Sequence, residues 1–172
     1  MNKDVLAVII GRAGSKGLPG KNERAPAGVP MVAHTIEHAK AARRVSRIVV
    51  STDGPVIAAA ARAEGIEIVD RPPRLASDSA SVADVVRHAA ARVRTEYDVV
   101  VVLYANVPVR PADLIDAAVD MLLETGADSV QSYCDVRKSH PWWMVSLDDA
   151  GRVRPFIDNE IDRRQDLPKL LI

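Results

Sequence analysis

"VLAVIIGRAGSKGLPGKN", residues 5–22, decides the fold, and its two halves make opposite demands on the chain. Residues 5–10 form an unbroken apolar run rich in β-branched side chains, the pattern of a strand covered on both faces. The run then meets glycine at every third position (Gly11, Gly14, Gly17, Gly20), with Arg12, Ser15, Lys16, Lys21 and Asn22 threaded between. A flexible linker has no need of the cations, and a solvated basic run has no need of the glycines. Glycine lets backbone N–H groups close on an anion, and the cations neutralise it. The stretch therefore reads as the first strand of an open α/β sheet running into a polyphosphate cradle, at the carboxyl end where ligands of such sheets bind. Neither standard fingerprint fits. The pattern G-x-G-x-x-G is absent. "SKGLPGKN" (15–22) approaches G-x-x-x-x-G-K-[ST], but Ser15 replaces the first glycine and Asn22 the magnesium-binding hydroxyl.

Working outward, "RIVVST" (47–52), "IEIV" (66–69), "DVVVVLY" (98–104) and "DSVQSYC" (128–134) read as further strands, with 98–104 the most hydrophobic and central. Residues 30–44, 55–65, 81–94 and 111–126 read as helices, with Pro30 and Pro55 at their starts, Ser81 as an N-cap and Gly65 as a stop. Strands alternating with helices predict a right-handed, mainly parallel sheet with helices on both faces. After about residue 135 the texture changes, and "RKSHPWWMVSLDDAGRVRPF" (137–156) reads as a hairpin or an excursion off the sheet. The expected division is a nucleotide-binding α/β domain, 1–134, and an arm, 135–172.

Composition narrows the function. The chain has 172 residues with 23 basic and 23 acidic side chains, and this zero net charge argues against bulk nucleic-acid or membrane-surface binding. The lone Cys134 excludes an intrachain disulfide and is expected to be a buried strand residue. Gly11 and Arg12 interrupt the first apolar run before it reaches signal-peptide length, and no stretch approaches the roughly 20 apolar residues of a membrane span. The expected setting is cytoplasmic. His34 and His38 stand four apart on one helix without a third ligand, which fits a surface helix better than a metal face.

"RAGSKGLPGKN" (12–22) resembles the nucleotide signature of the acylneuraminate cytidylyltransferases, the CMP-sialic acid synthetases, with CMP-Kdo synthetase a more distant relative. The resemblance continues in order. "VVSTDGPVIAAAARAEGIEIV" (49–69) is similar to the family's second and third strands, and "RPPRLASDSASVADVV" (71–86) to its RP-x-x-LA-x-D-x-(A/T)-S stretch. "VPVRPADLIDAAVDMLLETGADSV" (107–130) is similar to its SPLR strand-end and helix, and "RRQDLP" (163–168) to a late Arg-Gln motif.

The resemblance implies a Rossmann-like nucleotidyltransferase fold with a small dimerisation arm. It implies an enzyme that transfers CMP from CTP to the anomeric hydroxyl of a 2-keto sugar acid, with Mg2+ as cofactor and a homodimer as assembly. Carried onto matching positions, Gly11, Arg12, Gly14, Ser15, Lys16, Lys21 and Asn22 bind the triphosphate, with Arg12 and Lys21 stabilising the developing charge. Arg71, Ala80 and Ser81 match positions that read cytosine and ribose. Tyr104, Asn106 and Arg110 fall on the acceptor side, and Arg164 and Gln165 reach the partner's acceptor site. Trp142, Trp143 and Phe156 suit the interface. Asp53 is either a cap for the helix at Pro55 or a ligand-proximal carboxylate.

Two departures stand out. The family's LQPTSPLR is here "LYANVPVR" (103–110), so Tyr104 replaces an amide that offers a paired donor and acceptor. The acceptor is then expected to be a variant nonulosonic acid or another molecule. The family's magnesium-binding aspartates follow the Arg-Gln motif, beyond Ile172, so no residue is assigned to metal, and an incomplete chain is favoured over a lost site. Two alternatives stay open: a sugar-phosphate nucleotidyltransferase using another NTP, and a non-catalytic nucleotide-binding relative.

Overall fold

A computed structural model describes residues 3–14, 25, 28–93, 96–136, 139–161, 163 and 166–172. Two compact units divide the chain, residues 1–130 and residues 131–172.

The first unit is built on four strands: β1 (Val5–Ile10), β2 (Arg47–Thr52), β3 (Glu67–Asp70) and β4 (Val99–Tyr104). They pair in parallel in the order β3-β2-β1-β4. Between them run α1 (Met31–Ala41), α2 (Pro55–Ala63), the short α3 (Pro73–Ala76) and α4 (Val82–Arg92), and α5 (Leu114–Thr125) follows β4. All six β1 residues are buried because strand alternation sends them into two cores. Ala7 and Ile9 meet Val32, Ile36, Ile57 and Ala61 of α1 and α2, and Val5 meets Val119 of α5. Leu6, Val8 and Ile10 meet Leu75, Val85 and Ala89 of α3 and α4 on the other face. The expected parallel sheet with helices on both faces is therefore the observed one. At about 1.5–3 kcal/mol for each fully buried Val, Leu or Ile, β1 is the energetic centre of this unit.

Local signals set the helix ends. Pro55 opens α2 at its first turn. The Ser81 hydroxyl caps α4 by accepting from the Asp84 N–H. Gly126, at φ 65°, closes α5 in the left-handed region. The C-terminal end of α1 has no such signal, and a distant residue completes it. The buried Asp116 carboxylate of α5 accepts from the Arg43 and Arg44 N–H groups at 3.2 and 2.9 Å.

Three expectations are corrected. β4 is an edge of the described sheet, and β1 and β2 are central; Val100, Val102 and Tyr104 of β4 are exposed on the face that α4 covers elsewhere. Residues 128–134 form no strand. Cys134 is exposed rather than buried, and exchanges backbone hydrogen bonds with Ile172 beside an isolated bridge between Asp135 and Leu171.

The second unit holds a 3-10 turn at Pro141–Trp143 and an antiparallel hairpin, β5 (Val145–Leu147) and β6 (Val153–Pro155). Its one buried polar side chain among the described residues, His140, has Nε2 3.0 Å from the Pro168 carbonyl and accepts from the Trp142 N–H at Nδ1. Asn159 donates to the Trp142 and Ile157 carbonyls. Asp148 ties the hairpin turn by accepting from the Ala150 and Arg152 N–H groups. Among the described residues no helix is long and apolar enough to cross a membrane.

Candidate functional site

The four parallel strands deliver their carboxyl ends to one side of the first unit, where a cleft of about 330 Å³ opens. Gly11, Arg12 and Gly14 line it from the loop after β1, Arg71 from the end of β3, and Tyr104 and Asn106 from the end of β4. Ser77, Asp78 and Ala80 close the side between α3 and α4. A larger hollow of about 460 Å³ lies at the opposite, amino-terminal ends of the strands, lined by Lys3, Asp4, Arg43, Arg44 and Asp120 among others. Its cations are paired, Lys3 with Asp98, Arg43 with Asp116 and Arg44 with Asp120, and it lies away from the strand carboxyl ends where ligands of such sheets bind.

Gly11 is glycine because of packing. Its N–H pairs with Ser51 O at 3.2 Å, and a Cβ there would stand 2.8 Å from the Ala105 Cβ and 3.3 Å from Ile57 Cδ1. At Gly14 a Cβ would meet nothing within 4 Å. Of the two readings of Asp53, the structure excludes the cap. Asp53 leaves α2 without a side-chain cap and instead accepts from the Ala13 N–H at 3.1 Å, fixing the loop between the two glycines.

Arg71 is 9% exposed, and its Nη2 donates to Ser51 O at 2.6 Å. Burial pushes its pKa down, the Asp53 charge opposes that shift and the Arg12 charge adds to it. A guanidinium does not give up its proton in a protein, so Arg71 remains a buried cation. Arg12 donates across the cleft to Ala76 O at 3.4 Å and pairs with Asp78 at 2.5 Å. Arg12 and Arg71 carry like charges that Asp78 and Asp53 offset in part, and an anion bound between the two guanidiniums would be stabilised by both. That is the electrostatic condition for holding phosphate.

The sequence-derived set is thus partly assembled. Gly11, Arg12, Gly14, Arg71, Ala80, Tyr104 and Asn106 share the cleft. Two expected ligand contacts are committed elsewhere. The Ser81 hydroxyl is taken by its own helix cap, donating to Asp84 Oδ2 at 2.8 Å. The Arg110 guanidinium is turned into its own loop, on the Tyr104 and Val107 carbonyls at 2.9 and 2.7 Å. Ser15, Lys16, Lys21, Asn22, Arg164 and Gln165 lie outside the described residues. Asp78, which the sequence offered beside Asp70 as a partner for Arg71, pairs with Arg12 instead. Sequence reasoning missed Thr35, an ordinary helix residue in sequence, which sits under the turn after β4.

Among the described residues no group of three or more His, Cys, Asp or Glu side chains is placed to hold a metal ion. Asp53 is engaged with Ala13 and Asp78 with Arg12. None of these residues is assigned to the magnesium that the resemblance implies, and no step below passes through a metal.

The chain is 36% identical over 163 residues to the CMP-N,N'-diacetyllegionaminic acid synthase of Legionella pneumophila, covering 92% of this chain and 69% of that protein. It is 32% identical over 168 residues to the N-acylneuraminate cytidylyltransferase of Streptococcus agalactiae serotype III, covering 96% of this chain and 40% of that protein. The chain thus spans about two fifths of the length of the streptococcal relative. Among solved structures, CMP:2-keto-3-deoxy-manno-octonic acid synthetase complexed with CTP superposes with a TM-score of 0.68 at 20% identity, covering 98% of this chain and 70% of that one. That likeness shows the α/β nucleotidyltransferase fold. The family model described as cytidylyltransferase matches residues 6–142, from β1 through the cleft to the 3-10 turn, and the chain belongs to the cytidylyltransferase family.

Proposed function

We propose that the protein transfers CMP from CTP to the anomeric hydroxyl of a 2-keto sugar acid, sialic acid or a related nonulosonic acid, and releases pyrophosphate. The observation that carries this reading is the cleft itself. The glycine loop, two arginines and the 77–80 turn converge on one space with Tyr104 and Asn106 beside them. In the reaction an oxygen–phosphorus bond forms at the α-phosphate and the bond to the pyrophosphate leaving group breaks. Negative charge spreads over phosphoryl oxygens, where preorganised cations contribute most.

Arg12 and Arg71 supply that charge, with Lys21 assigned the same task by resemblance. The backbone around Ala80 is suited to reading a base edge through placed donors and acceptors. Tyr104 and Asn106 form the acceptor wall. The names of the two relatives, one a diacetyllegionaminic acid synthase and one an N-acylneuraminate cytidylyltransferase, support the nonulosonic acid class. Mg2+ dependence, a cytoplasmic setting and a homodimer complete the reading. The hairpin's exposed Val145, Leu147 and Val153, with Phe156 beyond it, suit a partner surface that brings Arg164 and Gln165 to the acceptor in trans.

Pyrophosphate release by the full-length native protein tests this directly. CTP, UTP, ATP and GTP are each paired with N-acetylneuraminate, a diacetylated nonulosonic acid or a sugar 1-phosphate, in the presence of Mg2+. Release that requires both CTP and a 2-keto sugar acid is the expected outcome. Release driven by a sugar 1-phosphate with another nucleotide would transfer the protein to a different reaction class.

A further inference from the structure

Beyond Ala105, whose N–H still pairs with Ile10 O at 3.0 Å, the strand ladder of β4 stops. The chain turns through Asn106, Val107 and Pro108, and the Tyr104 and Val107 carbonyls turn to Arg110 and Thr35 for partners. A partly buried carbonyl must be paired. Arg110 donates from Nη2 to Tyr104 O at 2.9 Å and from Nη1 to Val107 O at 2.7 Å. The same Nη1 is 3.1 Å from Thr35 Oγ1 and 3.3 Å from His38 Nδ1. Thr35 is fully buried on α1, and its hydroxyl lies 3.2 Å from Tyr104 O and 3.4 Å from Val107 O. A hydroxyl has one proton, so Thr35 donates to one of these carbonyls while accepting from Arg110.

We propose that Arg110 is a positioning residue: together with Thr35 it fixes the turn at 104–110 and thereby sets Tyr104 and Asn106 on the acceptor wall of the cleft. The proposal rests on the function given above, since it takes residues 104 and 106 to face the acceptor. A planar fork makes two charge-assisted bonds at fixed separation, which a single ammonium cannot reproduce. Misplacing an acceptor by about 1 Å costs on the order of 100-fold in rate, so a turn held by four polar contacts controls turnover without touching substrate.

The test uses Arg110→Lys, Thr35→Val and Thr35→Ser in the full-length protein. Each variant is assayed for CTP affinity by calorimetry, for acceptor KM and kcat, and for amide hydrogen exchange over 104–110. Thr35→Val keeps volume, and Thr35 is too deeply buried to meet substrate. Arg110→Lys should raise acceptor KM about tenfold and Thr35→Val about threefold, with CTP affinity held within about twofold. Both should speed exchange at 105–110, and Thr35→Ser should restore both readouts.

If Arg110→Lys raises acceptor KM while Thr35→Val leaves KM and exchange at wild-type values, Arg110 contacts the acceptor directly and the proposal is overturned. Equal loss of CTP and acceptor binding in both variants overturns it as well, since the tie then supports the unit as a whole. Wild-type protein that binds no CTP contradicts the proposed function instead. The exchange measurement still decides whether Arg110 and Thr35 hold the turn.

Discussion

A methyl group on Gly11 would stand 2.8 Å from the Ala105 Cβ, a separation that real Cβ atoms do not tolerate, whereas one on Gly14 would face open space. Gly11→Ala is therefore expected to cost about 1–3 kcal/mol by overpacking the junction of β1, β4 and α2, read as a lowered melting temperature. Gly14→Ala should stay within about 0.5 kcal/mol of wild type in the same measurement. Asp53 acts at the same scale. Its carboxylate holds the Ala13 N–H at 3.1 Å and offsets the charge of Arg71. Asp53→Ala frees the loop and leaves Arg71 and Arg12 less compensated. CTP affinity is expected to fall about tenfold through lost preorganisation, with a smaller change in melting temperature. An affinity that rises on this substitution would mean that the extra positive potential outweighs the lost loop anchor.

Elements are joined by single side chains reaching between them. Asp116 of α5 is the clearest case, because it completes the end of α1. Burial works to raise its pKa, but the Arg44 and Arg43 N–H groups and the Arg43 guanidinium outweigh that, and the net shift is downward. A carboxylate held below its unfolded value adds stability above the usual carboxylate range, and that stability is lost as pH falls through the folded pKa. Asp116→Asn should therefore flatten the acid limb of the stability profile and cost about 1–3 kcal/mol near neutrality.

His38 on α1 has the opposite charge type. Desolvation first, then the charges of Arg110 and His34, lower its pKa, with Glu37 opposing. The folded chain thus favours the neutral form of His38. Stability is full above the ordinary histidine value of 6.5 and declines as pH drops below it. His38→Gln should remove the His38 share of that decline in a pH series of chemical melts and leave the share of His88, whose pKa burial also lowers.

These ties also show where sequence reading stops. The apolar runs of β1, β2 and β4 and the prolines opening helices were legible because they are local and periodic. The edge position of β4 was not, since Val99–Tyr104 is as apolar as a central strand, and only pairing shows that Val100 and Val102 are exposed. The Thr35–Arg110 contact joins residues 75 apart, and nothing in either neighbourhood announces it.

At the scale of the molecule, the carboxyl ends of parallel strands gather residues from three separate blocks of sequence into one cleft. Gly11, Arg12, Arg71, Ala80, Tyr104 and Asn106 were legible as candidates because their motifs carry chemistry in recognisable order. Residues 128–134 misled because a short run reads as a strand only where a partner exists to pair with it. There the described backbone finds Ile172 at Cys134 and little else.

CMP transfer requires that this cleft select CTP over the other nucleotides. The measurement that tests it most directly is the melting temperature of the full-length protein with CTP, UTP, ATP or GTP at equal concentrations, with and without magnesium. A ligand at 100 times its Kd stabilises the folded state by about 2.7 kcal/mol. A rise with CTP that the other three do not match is the predicted result. An equal rise with all four would leave a phosphate cradle without a base reader, and no rise with any of them would contradict nucleotide binding altogether.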